Sequence, residues 1–215
     1  MTKNNLLIVG GGGSIGNYLL ESLNIDNVYV LDKQILKNNH KNITFFECDL
    51  LNFNLLEKII SQLPSNLMVV YLAGNLSIEF NPHQIRESFN DNVIALSNFL
   101  NLIKSKLSHF VFASSISVYG IPMSNPIDEN HPIQPLSLYG CSKAAAEIMC
   151  NALCNNNKIP LTILRLTQLY GLDSAHNAFP HVLLDASNQK IFLNSKLIQT
   201  SKEIICIFLI LFNFY

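Results

Sequence analysis

The chain has 215 residues, enough for one domain with a sizeable core, and 13% of them are charged, about half of the roughly 25% usual in soluble domains. A net charge of −1 offers no basic field for a nucleic acid. Five cysteines, at positions 48, 141, 150, 154 and 206, form no C-x-x-C pair, so reduced and mostly buried thiols are expected rather than a metal site or a disulfide framework.

Residues 6–9 are a short apolar run of strand type, reached directly from Lys3 with no secretory signal before it, which predicts a cytoplasmic address. Gly10, Gly11, Gly12 and Gly13 form a tight turn, and from Ser14 onward the apolar residues Ile15, Leu19, Leu20 and Leu23 fall at helical spacing. The glycines satisfy both Gly10-x-x-Gly13-x-x-Gly16 and Gly11-x-Gly13-x-x-Gly16. Such a chain turns sharply, lets a pyrophosphate approach the backbone and packs its helix closely on its strand. The N–H groups at the helix start then face the anion. Glycine runs also occur in plain turns, so the context decides. A second apolar run, residues 27–31, ends in Asp32, nineteen residues after Gly13, where a dinucleotide fold places the carboxylate that accepts the adenosine ribose hydroxyls. Asp32 would repel a 2′-phosphate and no Arg follows it, which predicts NAD rather than NADP; Lys33 and Lys37 temper that preference.

Strand-like and helix-like segments alternate from there, the order that builds a parallel sheet with helices on both faces. Residues 43–48 read as the third strand, 55–63 as a helix, 67–73 as the fourth strand, 85–103 as a longer helix, 109–114 as the fifth strand, 139–155 as a helix and 161–166 as the sixth strand. In doubly wound sheets the ligand lies across the carboxyl ends of the strands. The residues just after those strands are Gly10 to Gly16, Asp32, Asp49 with Leu50, Ala73 with Gly74, and Ser114 with Ser115. Two readings of Asp49 stay open, a hydrogen bond to the adenine amino group and an N-cap for the next helix.

Tyr139 and Lys143 stand four residues apart, which on a helix puts phenol and ammonium on one face. Y-x-x-x-K alone is common on solvent-facing helices, but here it follows a strand that runs into hydroxyls at Ser114, Ser115 and Ser117. Bringing a tyrosine from its usual pKa of about 10 to near 7 takes roughly 4 kcal/mol of preferential phenolate stabilisation. Lys143 and an oxidised nicotinamide together could supply that. Tyr139 would then remove a hydroxyl proton while a hydride leaves the same carbon, with Ser115 hydrogen-bonded to the oxygen.

These stretches carry a family resemblance. With Asn92-Val93, Pro126 to Glu129, Pro135, Glu147, Leu164-Arg165 and Tyr170-Gly171 they run in order from residue 5 to about 171. The chain resembles the extended short-chain dehydrogenase/reductase family, the NAD-dependent epimerase/dehydratase group acting on nucleotide sugars. The resemblance implies an α/β doubly wound parallel sheet of Rossmann type, with Ser115, Tyr139 and Lys143 as the catalytic set. It implies NAD contacts at Gly10, Gly13, Ser14, Ile15, Gly16, Asp32, Asp49, Leu50, Leu72, Ala73, Gly74, Asn92, Tyr139 and Lys143, with Lys143 on the nicotinamide ribose. Asn92 falls where the family keeps an Asn of structural or cofactor-side importance; plain helix interior is the other reading. The family's strand-six Asn is replaced by Gln168.

Relatives that dehydrate nucleotide sugars place an Asp-Glu pair after the strand-five hydroxyl, since eliminating water needs an extra acid and base. Ile116 and Ser117 stand there instead, favouring epimerisation of a UDP-sugar through a transient ketone, or keto reduction, over dehydration. A truncated, inactive NAD-binding module is the alternative. The boundaries implied are an NAD-binding domain over 1–177 and, over 178–215, a remnant of the substrate lobe, most of which is missing, plus an apolar tail. Residues 179–188 read as a helix and 190–193 as a strand. Nine consecutive apolar residues, 204–212, are too few for a membrane span of about 20 and are read either as a buried strand or as an out-of-frame tail. Pairing of the 85–103 and 139–155 helices into a four-helix bundle implies a homodimer.

Overall fold

A computed structural model describes residues 5–23, 27–36, 42–124 and 126–167. The chain divides at Leu166/Thr167 into two units, and the described residues belong almost wholly to the first. The expected boundary at 177, Gln168, Tyr170-Gly171, the 179–188 helix, the 190–193 strand and the apolar tail lie outside the described residues.

The strands are β1 (Asn5–Val9), β2 (Val28–Asp32), β3 (Ile43–Glu47), β4 (Leu67–Tyr71), β5 (Leu107–Ser115) and β6 (Leu161–Leu166). All pair in parallel, in the order β3-β2-β1-β4-β5-β6. Leu6, Leu7, Ile8 and Val9 are all buried, as a central strand covered on both faces requires. The strand order reverses between β1 and β4, and that is where a doubly wound sheet opens a crevice at its carboxyl edge.

The helices are α1 (Ser14–Ser22), α2 (Phe53–Gln62), α3 (Pro82–Phe89), α4 (Ala95–Ile103) and α5 (Leu138–Asn156). Their starts follow capping chemistry. Asn52, Asn81 and Ser137 each accept a backbone N–H from inside the first turn of α2, α3 and α5. The Asn81 cap and Pro82 at the first helical position explain why α3 begins three residues before the apolar period that starts at Ile85. Between α3 and α4 the run widens into one π-helical turn, Asn90–Ile94, instead of continuing as a single α-helix. Leu56, Ile59 and Ile60 of α2, Leu96, Phe99, Leu100 and Ile103 of α4, and Ala146, Cys150 and Cys154 of α5 form one core with Leu7, Val9, Val69, Tyr71, Phe110 and Phe112 of the sheet. Tyr71, Phe99, Phe110 and Phe112 stack within it, with ring centres 5.5–6.4 Å apart in tilted pairs.

Candidate active site

Along the crevice, the turn after β1 is shaped by glycine where nothing larger fits. Gly10 has φ +84°, and a Cβ there would lie 2.5 Å from the Ala73 backbone nitrogen. A Cβ on Gly16 would meet the Gly11 backbone at 2.5 Å, so α1 seats directly on the turn. Gly13 differs: a Cβ there would touch only the Gly10 carbonyl, at 3.4 Å. No side chain caps α1 at its N-cap residue, Gly13. Asn17 fastens the turn from inside the helix, its amide donating to the Gly12 and Gly13 carbonyls at 2.8 and 3.1 Å.

Asp32 ends β2 with both carboxylate oxygens held by backbone, one accepting from Gly12 N–H and the other from Gln34 N–H, each at 2.8 Å. Asp49 accepts from Leu51 N–H at 2.9 Å and so closes its own turn. The N-cap reading of Asp49 is therefore corrected, because Asn52 caps α2. Gly10, Gly13, Asp32, Asp49, Leu50, Leu72, Ala73 and Gly74 line one groove that is open to solvent. Lys33 and Cys48 line it too, as do Gln34, Asp91 and Ala95, which carried no motif in the sequence. Ser14, Ile15, Gly16, Asn92, Tyr139 and Lys143 are not among its lining residues.

Asn92 sits buried in the π-helical turn. Its carbonyl accepts from Asn75 N–H at 2.7 Å, while its amide donates to the Asn75 carbonyl and the Ser142 hydroxyl at 2.9 and 2.8 Å. Ser142 in turn donates to the Tyr139 carbonyl at 2.9 Å. This relay fixes the first turn of α5 to the loop after β4. Asn92 is thus a structural tie between groove and helix, more than plain helix interior.

Tyr139 stands in that turn, and Lys143, in the next turn of α5, faces β5. Burial pushes the Tyr139 phenol's pKa up from the usual 10, and the neighbouring Ser115 side chain offsets this in part. Ser115 Oγ also accepts from Ser117 N–H and lies 3.1 Å from Ser117 Oγ. Lys143 is 4% exposed. Its Nζ donates to the Ala113 carbonyl at 2.9 Å and lies 5.0 and 5.8 Å from the Phe112 and Tyr139 ring centres. Burial lowers its pKa from 10.5 to about 8, against the upward pull of Cys150 and Glu147.

That lysine has a consequence for stability. Between pH 8 and 10.5 the unfolded chain holds a proton on Lys143 that the folded chain has lost, so its contribution to stability rises with pH across that window. Below pH 8 the full penalty remains, about 3 kcal/mol at roughly 1.4 kcal/mol per pH unit. Lys143→Met is expected to be the more stable protein at pH 7 by up to that amount, with the gain gone above pH 10.5. Paired urea melts from pH 7 to 10.5 check this, and a variant less stable than its parent at pH 7 contradicts it.

The sequence profile of the NAD dependent epimerase/dehydratase family matches residues 6–203. The chain is 30% identical to the UDP-glucose 4-epimerase of Mycoplasma genitalium, over 79% of this chain and 54% of that one. It is 31% identical to the N-acetyl-alpha-D-glucosaminyl-diphospho-ditrans,octacis-undecaprenol 4-epimerase of Escherichia coli O157:H7, over 82% and 52%. The fold matches the UDP-glucuronic acid 4-epimerase of Bacillus cereus, solved with UDP-glucuronic acid and NAD, with a TM-score of 0.74 and 26% identity over 86% of this chain and 63% of that one. The chain spans about half the length of the curated relatives it matches. With strand order, glycine turn and profile in agreement, this chain belongs to the NAD-dependent epimerase/dehydratase family.

Proposed function

We propose that the protein is an NAD-dependent epimerase of nucleotide sugars, UDP-sugars first among them. The observation that carries this reading is a carboxyl-edge groove formed by the glycine turn and Asp32, with buried Ser115 and Lys143 and half-buried Tyr139 beside it. The groove fits a dinucleotide on its own geometry. Gly13 leaves room where a pyrophosphate would approach, and the Asp32 carboxylate is held rigid at the far end of the turn, suited to ribose hydroxyls and unsuited to a 2′-phosphate. Gly10, Gly13 and the start of α1 would hold the pyrophosphate, Asp32 the adenosine ribose, and Lys143 the nicotinamide ribose.

When bound, NAD supplies the acceptor that takes a hydride from one sugar carbon and returns it to the opposite face. Tyr139 takes the hydroxyl proton at its phenolic oxygen and later gives it back. Ser115 hydrogen-bonds the same sugar oxygen, and Lys143 stabilises the phenolate from the next turn of α5. Ile116 and Ser117 supply no acid for a leaving group, which sets epimerisation above dehydration. The 1–177 domain boundary is retained in this reading. So is a homodimer through α3, α4 and α5, supported by the exposure of Ile85, Phe89 and Ile94 (48%) along the α3–α4 run and of Ile148 (64%) on α5.

Purified protein with NAD is expected to interconvert UDP-glucose with UDP-galactose, or UDP-glucuronate with its 4-epimer, read by product chromatography. Demonstrated NAD binding without turnover of any UDP-sugar sinks the epimerase reading and leaves an NAD-binding module.

A further inference from the structure

Glu147 lies one helical turn beyond Lys143 on α5 and is 2% exposed. A carboxylate so buried needs hydrogen bonds on several sides, and two strands supply them. Ser114 on β5 donates its hydroxyl to Oε1 at 2.5 Å. Arg165 on β6 donates from Nε to Oε1 at 3.0 Å and from Nη2 to Oε2 at 2.8 Å. The same guanidinium reaches onward through Nη1 to the Tyr119 hydroxyl at 2.8 Å and the Glu129 carbonyl at 3.2 Å. Its carbon lies 4.8 Å from the Tyr119 ring centre. One carboxylate thus joins the strand that delivers Ser115, the helix that carries Tyr139 and Lys143, and the segment between them.

For stability alone, an apolar pair of similar size serves as well as a buried ion pair, or better. The placement of Glu147 gives its charge a second use. It pulls upward on the Lys143 ammonium, as Cys150 does, while Arg165 faces Glu147 from β6 and the Tyr139 ring lies 5.8 Å from Nζ. From β5 Lys143 meets the Ala113 carbonyl and the Phe112 ring, which carry no formal charge.

We propose that Glu147 is a positioning residue for the Ser115, Tyr139 and Lys143 set. Its carboxylate locks β5 to α5 through Ser114, clamps the Tyr119 and Glu129 segment through Arg165, and sets a negative charge one helical turn from Lys143. The proposal rests on the roles given to those three residues under Proposed function, but its test needs neither cofactor nor sugar.

The test follows the Lys143 side-chain resonance against pH in 13C-lysine-labelled protein, assigned with Lys143→Arg. Parent, Glu147→Gln and the double variant Glu147→Leu/Arg165→Met are compared. In Glu147→Gln the Lys143 midpoint is expected to fall by up to about one pH unit, because the carboxylate that favours the ammonium is gone; in the double variant, which also loses the Arg165 charge, a smaller fall is expected. The double variant is expected to melt close to the parent, since it leaves no unpaired buried charge. If Glu147→Gln does not fold, the double variant carries the same reading. A midpoint that stays unmoved in every variant that folds, or a double variant that does not fold, reduces the ion pair to a structural one and overturns the proposal. A parent that binds no NAD would count against the functional reading and leave the Lys143 result standing.

Discussion

Tyr139→Phe is expected to lower kcat for UDP-sugar epimerisation by about 10²- to 10⁴-fold, the range a positioned general base contributes. The substitution removes one oxygen and leaves the ring, so the fold and the Asn92–Ser142 relay to the Tyr139 carbonyl stay in place. The pH dependence gives the role away. Burial holds the Tyr139 phenol protonated to higher pH than an ordinary tyrosine, with Ser115 pulling the other way. The parent's rate should therefore rise with pH as Tyr139 loses its proton in the loaded enzyme, and Tyr139→Phe should lack that limb. A variant that keeps more than a tenth of the parent's kcat would remove Tyr139 from the reaction.

Gly10→Ala is expected to cost about 4 kcal/mol or more, a large part of the stability of a typical domain. Two effects add. A side chain at φ +84° is strained by about 1–2 kcal/mol, and its Cβ meets backbone on the far side of the crevice: Ala73 N at 2.5 Å, Ala73 Cα at 2.8 Å and Leu72 C at 2.9 Å. These atoms follow directly on β4, whose pairing with β1 fixes them, so they cannot retreat without parting the two central strands. In a domain of this size the melting temperature should drop by roughly 10 °C. Gly13→Ala is the contrasting variant. Its φ is −73° and its Cβ has room, so the melt should barely change while NAD binding weakens, because the methyl projects toward the space a pyrophosphate would use. Equal melting losses in the two variants would contradict the division of labour between them.

Much of this architecture is legible in the residues. Each strand of the doubly wound sheet is a run of five to nine mostly apolar residues, because a parallel sheet covered on both faces needs no polar alternation. The strand ends shift by a residue or two, since hydrogen-bonded pairing sets them. The helix expected from Ile85 begins at Pro82, because its exposed first turn is polar and its start is signalled by Asn81 and Pro82 instead of by apolar period. The π-helical turn has no periodic signature at all.

At the site, Gly10, Gly13, Asp32 and the Asp49-Leu50 and Leu72-Ala73-Gly74 strand exits are readable because the sheet topology brings the ends of successive strands to one edge. Asn75 and Ser142 are not readable, since they meet Asn92 across 17 and 50 residues of sequence and only the folded chain brings them together. Asn17 could have been found: four residues after Gly13 on a helix, its amide reaches back to the glycine carbonyls. The upward shift of the Tyr139 pKa was also hidden, because burial in the unloaded site outweighs the partners that sequence spacing places beside it.

The central claim is that the glycine turn and Asp32 form a working NAD site. It is tested most directly by the melting temperature of the purified chain with no ligand, with NAD and with NADP. NAD at a hundred times its dissociation constant adds about 2.7 kcal/mol to the folded state, a rise of roughly 5–10 °C for a chain of this size. The expected result is that rise with NAD and a much smaller one with NADP. A cooperative melt that NAD leaves unmoved, or one that NADP raises equally, would contradict it.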